Sequence, residues 1–490
     1  MFFCERLGLD ERTIVAQVEL WELRAAFARE LSTMYGHEVP AYNTLVDVST
    51  AVNIDYLGRF GSQAERLGSI GRVTAERHGA IRVGSAREMA QVATVFAGFG
   101  MYPVGFYDLR DASSSSVPVV STAFRPIDRT ELARNPFRVF TSMLAAEDPR
   151  FFTPELQKRL REFIDARTLF SDEALSLAEK SSQNGGLDQD EADRFVSAAT
   201  AIFKLTSDPV DWEWYTELER ISAVAADIGG VPRTHINHLT PRVLDIDELY
   251  ERMSAQGIAM IDEIQGPPAW DGPDILLRQT SFRALAEERM FTFADGTVGP
   301  GQLRVRFGEV EQRGIALTPA GRELYDHMVA TVDERLAAAG PGFTRQDVAR
   351  EVWGEMLPAT EAGLESQGLA FFTYHLTESA AQPRRDQPLT LASLLAEGIV
   401  VAEPIVYEDF LPRSAAGIFQ SNLSDDGERD DSQSAVHYDR ERMSSIIGRD
   451  VHDPAELYAA ERAASIQVIA DRLGCTFLDL GCAEWAVTPD

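Results

Sequence analysis

The chain has 490 residues, with 46 Lys and Arg against 77 Asp and Glu, and a formal charge of −31. So acidic a chain repels phosphate backbones and anionic lipid, which excludes general nucleic-acid binding and adsorption to anionic membranes. At 44% hydrophobic and 25% charged residues it has ordinary globular usage and enough apolar mass for a sizeable core, with no stretch near the roughly 20 apolar residues of a membrane helix.

The start, MFFCERLGLDER, has neither a basic region nor an apolar run before its charges, and does not read as a signal peptide. Residues 11–34 carry Ile14, Val18, Trp21, Leu23 and Phe27 at helical spacing and open an N-terminal helical region, 1–69. Residues 70–149 read as strand-rich. In them GFGMYPVG (98–105) has the wrong spacing for a dinucleotide fingerprint and follows a helix rather than a strand. Residues 150–230 form a helical insert, broken by SSQNGG at 181–186. LDQDEAD (187–193) lacks the turn glycine of a calcium loop and reads as a solvated helix start. Residues 231–335 are strand-rich again. The C-terminal part, 336–490, is mixed. It holds the helix QDVAREVWGEML, the apolar run GLAFFTYHL, the acidic run SDDGERDD, read as an exposed loop, and a helix around 454–473. Cys4, Cys475 and Cys482 contain no CxxC, which argues against a disulfide framework or thiolate zinc site and points to a reducing, cytoplasmic setting. There is no P-loop, HExxH or GxSxG.

The two strand-rich segments repeat each other. HGAIRVGSAREM (78–89) lies over HLTPRVLDIDEL (238–249), matching His78 with His238, Arg82 with Arg242 and Val83 with Val243. Seven residues after each His comes a helix N-cap, Ser85 or Asp245, with Glu88 or Glu248 at capping-box spacing. A helix and a new strand follow each, YPVGFYDL in one and IAMIDEI in the other. STAFRP then matches QTSFRA, and FRVFTSM matches LRVRFGE. Each module reads β-α-β-β-β. The expected fold is therefore α+β: duplicated modules forming a curved sheet or barrel, with the helical insert between them and the mixed C-terminal region packed on the core.

Equivalent inward-facing positions on the first strands would bring His78 and His238 together. Neutral imidazole is the commonest side-chain metal ligand, and two imidazoles with one carboxylate make a facial triad for iron(II) with open positions. A lone strand histidine is more often structural; equivalent placement in a repeat shifts the balance toward ligation. LRVRFGEVEQRG offers Glu309 and Glu311, two apart and on one strand face, while Met143 stands at the place of Glu309 in the first module. One glutamate as ligand and the other as partner of Arg304, Arg306 or Arg313 is the expected division. His235 would point to the opposite strand face from His238, as a structural hydrogen-bonding group. His37, His327, His437 and His452 read as helical or loop residues, and His375 as core. Arg82, four residues after His78, shares its face. Its apolar neighbours Ile81 and Val83 imply burial, and a buried guanidinium needs an anionic partner. Arg242 stands equally close to His238, so a purely structural role for both arginines is the alternative.

ERHGAIRVGS, HINHLTPRVLDID, RFGEVEQRGIALTPAGRELYD and PIVYEDFLPRSAAGIFQSNL together resemble the 2-oxoadipate dioxygenase/decarboxylase family of lysine catabolism, within the vicinal oxygen chelate superfamily, from about residue 10 to 475. The resemblance implies an iron(II) enzyme, Fe(2+) being held by His78, His238 and a glutamate of GEVEQRG, here assigned to Glu309. It implies that Arg82 holds a substrate carboxylate and that the LPRSAAGIF segment, Arg413 and Ser414, touches substrate. Arg413 stands where the family commonly has Val. The implied reaction is 2-oxoadipate + O2 → 2-hydroxyglutarate + CO2, with the 2-oxo dicarboxylic acid as its own reductant and no nicotinamide or 2-oxoglutarate. Other readings are an extradiol dioxygenase or isomerase of the same superfamily, or a metal-free binding protein of the same fold.

Overall fold

The computed structural model describes residues 17–111, 117–284, 286–303, 306–340, 342–377, 390–412, 414, 418, 422, 429–430 and 432–474. Ile14, Arg304, Arg413, the three cysteines and most of the acidic run at 424–431 lie outside the described residues. The chain is α+β, with several sheets and many helices.

A five-stranded sheet runs in the order Tyr102–Asp108, Val119–Arg125, Arg138–Leu144, Arg77–Val83, Ile236–Pro241. Arg77–Val83 pairs in parallel with Arg138–Leu144 on one side and antiparallel with Ile236–Pro241 on the other, so it joins the two strand-rich segments. Its residues are buried from His78 to Val83, because both sheet faces are covered. On one face Ile81, Val83, Val139 and Phe124 pack with Leu23, Phe27, Leu45 and Phe96 of the helices Leu20–Glu38, Pro40–Phe60 and Ala86–Ala97. On the other, Ala80 and Phe140 join Leu160, Trp214, Phe307 and Phe410. Gly79 permits the central pairing to close: a Cβ there would stand 3.0 Å from the Ile236 side chain.

The strand Gly308–Arg313 pairs antiparallel with Leu277–Phe282. It runs beside the end of Ile236–Pro241 through a parallel bridge of Arg242 to Glu311, where the Val243 N–H donates to the Glu311 carbonyl at 2.8 Å. Gly308 faces Phe282, and a Cβ on it would lie 1.8 Å from the Phe282 ring. Gly308→Ala is therefore expected to lower stability by about 1–3 kcal/mol, the usual overpacking cost, read from urea unfolding.

Both expected N-caps hold: Ser85 accepts from the Glu88 N–H and Asp245 from the Glu248 N–H. The helix Asp172–Asn184 runs through SSQN and stops at Gly185, in the left-handed region at φ 74°. Asp188 caps Gln189–Ile202, so LDQDEAD is a helix start. Arg345–Met356 and Pro454–Leu473 are the expected C-terminal helices. Two strand expectations need correction. IAMIDEI forms only an isolated bridge, Met260 with Phe282, followed by one just beyond it, Gln265 with Gln279, because Asp262 and Glu263 between them turn to solvent. LRVRFGE does not overlie FRVFTSM strand on strand: Leu303 closes the inserted hairpin Glu287–Thr292/Val298–Leu303, and the next strand begins only at Gly308. Among the described residues no helix is long and apolar enough to cross a membrane.

Candidate metal centre

Three adjacent strands deliver the site. His78 sits opposite Thr240, and Ala80 opposite His238, so all four share one face. The register then slips: Ile81 pairs with Ile236, leaving Asn237 as an extra residue in a β-bulge. Gly308–Arg313 lies beside this pair and presents Glu309 and Glu311. His78, His238 and Glu309 are thereby gathered so that one ligand atom from each lies within 4.8 Å of the others, and all three are buried. His78 Nε2 is 3.0 Å from Glu309 Oε1, and His238 Nε2 is 3.8 Å from Glu309 Oε2. The two imidazole rings meet edge-on at 5.6 Å.

Neighbours hold each group. Glu309 Oε1 accepts from Gln279 Nε2 at 2.7 Å and Thr240 Oγ1 at 3.3 Å. Glu311 Oε2 lies 2.9 Å from His78 Nδ1, on the other side of the same ring. Glu311 is itself clasped by Arg313, at 2.7 and 2.8 Å, and touched by Arg138 at 3.3 Å. The two glutamates thus divide as expected, one in the triad and one paired with arginine. Phe410 packs edge-on against His78 at 5.0 Å, and Phe307 lies tilted against His238 at 5.1 Å, so an apolar ring flanks each imidazole.

The electrostatics suit a cation. Burial lowers the His238 pKa to about 4, with Glu309 opposing, so this imidazole is neutral and its lone pair open. Its Nδ1 is buried with no hydrogen-bond partner among the described residues. Burial raises the Glu309 pKa, but protonation of the facing His238 at low pH and the hydrogen bond with His78 outweigh it and hold the carboxyl below its ordinary range. Two nitrogens and one carboxylate oxygen, inward-facing and incompletely paired with one another, fit a divalent metal ion.

The same shift has a sign that can be tested in the metal-free protein. The unfolded chain takes up the His238 proton near pH 6.5 and the folded protein only near pH 4, so between these values the unfolded state binds more protons. Stability should fall as pH drops through that window, by on the order of 3 kcal/mol. His238→Gln should remove this component, seen as a smaller loss of urea midpoint between about pH 7 and about pH 4.5; equal losses would contradict the assignment.

Arg82 is buried on the same strand as His78, and the structure supplies its anion: Nη1 donates to Asp227. His235 corrects an expectation. The bulge at Asn237 turns it back toward the Arg82 side of the sheet, where its Nε2 lies 3.3 Å from Asp227 Oδ1 and 3.2 Å from Asn237 Nδ2. It is not part of the triad. Arg242 belongs to a separate group, donating to Glu76 at 3.0 Å. Ser414 is buried. His375 is not core: its side chain is 40% exposed and lies 3.3 Å from Glu403. Gln279, Thr240, Asp227, Phe307 and Phe410 carried no spacing signal, although Gln279 opens the QTSFRA repeat and pairs in register with Glu311.

Two buried imidazoles and one buried carboxylate, flanked by Phe410 and Phe307, define a candidate metal centre of the two-histidine, one-carboxylate class. The chain belongs to the 2-oxoadipate dioxygenase/decarboxylase family, whose model matches residues 27–422. It is 55% identical over 444 residues to the 2-oxoadipate dioxygenase/decarboxylase of Mycobacterium bovis, covering 91% of this chain and 97% of that one. It is 42% identical over 456 residues to the Escherichia coli protein of the same name, covering 90% and 97%. A crystal structure of the hydroxyglutarate synthase of Pseudomonas putida in complex with 2-oxoadipate aligns with a TM-score of 0.79 at 39% identity, over 94% of this chain and 99% of that one.

Proposed function

We propose that this protein is an iron(II)-dependent dioxygenase/decarboxylase that converts 2-oxoadipate and O2 to 2-hydroxyglutarate and CO2 in lysine catabolism. The observation that carries this reading is the buried group His78, His238 and Glu309, set on the sheet face that also bears Arg82. Family membership and the relatives' names support the substrate and the use of O2. The same proposal takes the two strand-rich segments, 70–149 and 231–335, as duplicated β-α-β-β-β modules flanked by the helical regions 1–69 and 150–230 and the C-terminal region 336–490. It places the protein in the reducing cytoplasm, on its sparse cysteines.

In this reading His78, His238 and Glu309 would hold the iron, which would bind the 2-oxo acid and O2 and pass to oxygen the electrons that the 2-oxo acid gives up. The chain's own residues do the rest. Gln279 and Thr240 fix the Glu309 carboxylate, and Glu311 fixes the His78 ring from its far nitrogen. Phe307 and Phe410 exclude water from the reacting carbon. Arg82 receives the distal carboxylate of the dicarboxylic acid, and the segment of Arg413 and Ser414 completes the substrate pocket.

Oxygen uptake by the iron-loaded protein on 2-oxoadipate and on 2-oxohexanoate, which lacks the distal carboxylate, tests this. Arg82→Ala should cost about 2–5 kcal/mol in kcat/KM on 2-oxoadipate, as for a truncated buried ion pair, and little on 2-oxohexanoate. Arg82→Lys keeps the charge, loses the planar fork and should fall between. Iron content should be unchanged in both. Equal losses on the two acids would remove Arg82 from the substrate site.

A further inference from the structure

We infer that Asp227 is a positioning residue for Arg82, and through it sets the preference for a dicarboxylic substrate. This rests on the reading that Arg82 receives the distal carboxylate. Asp227 lies on the short helix Ala223–Gly229 and is 3% exposed. Its Oδ2 accepts from both Arg82 Nη1 and Asn237 Nδ2, the latter at 2.9 Å. Its Oδ1 lies 3.3 Å from His235 Nε2. One carboxylate is thus gripped from two strands: by Arg82 from the strand of His78, and by His235 and Asn237 from the strand of His238.

The bulge is what makes this grip. Without the extra residue at Asn237, His235 would fall on the opposite face, and Asp227 would lose a neighbour. An arginine side chain has many rotamers, and its fork recognises a carboxylate only when its plane is fixed. Asp227 engages one terminal nitrogen and so sets the direction of the fork. It also gives the buried guanidinium an anion before substrate arrives, which removes any drive for Arg82 to swing away. Arg82 is anchored a second time through its backbone, where Thr234 Oγ1 donates to its carbonyl at 2.6 Å. The strand is therefore held at Arg82, and Asp227 fixes the direction of its side chain.

The test is steady-state kinetics of the iron-loaded full chain on 2-oxoadipate and 2-oxohexanoate. Asp227→Ala should raise KM for 2-oxoadipate about 10- to 100-fold, the range for losing a charged hydrogen bond, with kcat little changed. KM for 2-oxohexanoate and bound iron should both stay within about 2-fold. Asp227→Asn, which keeps an acceptor in place and spares the fold if the alanine variant does not survive, should raise KM for 2-oxoadipate less. In an Arg82→Ala background, Asp227→Asn should add no further loss of discrimination. Equal losses on both acids, or a full additional loss in the Arg82→Ala background, would overturn the role. A wild-type enzyme that does not distinguish the two acids would overturn the Arg82 reading itself, and the Asp227 role with it.

Discussion

His78→Ala, His238→Ala and Glu309→Ala are each expected to abolish oxygen uptake and weaken iron binding by more than the roughly 10- to 100-fold typical of losing a residue that only supports a ligand. The three side chains come from three different strands and bring their ligand atoms within 4.8 Å of one another, so each removal takes one donor without disturbing the strands of the others. The comparison that gives the expectation its force is with two neighbours. Glu311→Gln should weaken iron only within the supporting range, because Glu311 faces the far nitrogen of His78 and is clasped by Arg313. His235→Ala should leave iron bound, because its ring turns to Asp227. Iron binding by isothermal titration under anaerobic conditions separates the groups. Loss of iron in His235→Ala with retention in His238→Ala would reverse the assignment.

Arg138→Leu is expected to cost about 3–5 kcal/mol of stability, the range for breaking a buried ion pair on one side. Arg138 is fully buried, and one of its terminal nitrogens donates to Glu76 at 2.7 Å and to Glu408, while the other reaches Glu311 at 3.3 Å. Arg72, Arg242 and Arg313 complete a lattice of four arginines around these three glutamates, all beside the triad. Burial alone would raise the Glu76 pKa, but Arg242 and Arg138 outweigh it and hold the carboxyl low, and removing Arg138 takes away the one cation that touches all three glutamates. Arg66→Ala is the control: its two-pronged pair with Glu361 is solvent-facing and should be worth less than about 1 kcal/mol. Guanidinium unfolding of the two variants checks the contrast; similar losses would mean the lattice contributes no more than a surface pair.

Much of the triad was legible because repetition and alternation are properties of spacing. HGAIRV over HLTPRV put two histidines at matching places, and the period of two in GEVEQ put both glutamates on one face. Their division into a triad member and an arginine partner was expected as a pattern. Which one does which depends on how far the Gly308–Arg313 strand slides along its neighbour, which spacing does not specify. The face of His235 was misread because a one-residue bulge flips every side chain beyond it, and nothing in HINH announces one. The hairpin Glu287–Thr292/Val298–Leu303 spoiled the third repeat anchor for a similar reason: an insertion shifts the strand without leaving a gap in the apolar pattern. Asp227, Gln279 and Phe410 were invisible because each reaches the site from an element other than the strands that carry the histidines, and a lone polar or aromatic residue carries no period.

Turnover under labelled oxygen gas tests the central claim most directly. The balance of 2-oxoadipate and O2 against 2-hydroxyglutarate and CO2 requires one O2 consumed and one CO2 released per product. If both oxidations use the same O2 without exchange with water, both oxygen atoms of the gas end in 2-hydroxyglutarate, one in the new carboxylate and one in the hydroxyl, while CO2 keeps the oxygens of the lost carboxylate. The iron-loaded wild-type protein is expected to give doubly labelled 2-hydroxyglutarate by mass spectrometry and unlabelled CO2, and Glu309→Ala neither. Product formed without oxygen uptake, or product carrying no labelled atom, would contradict the account.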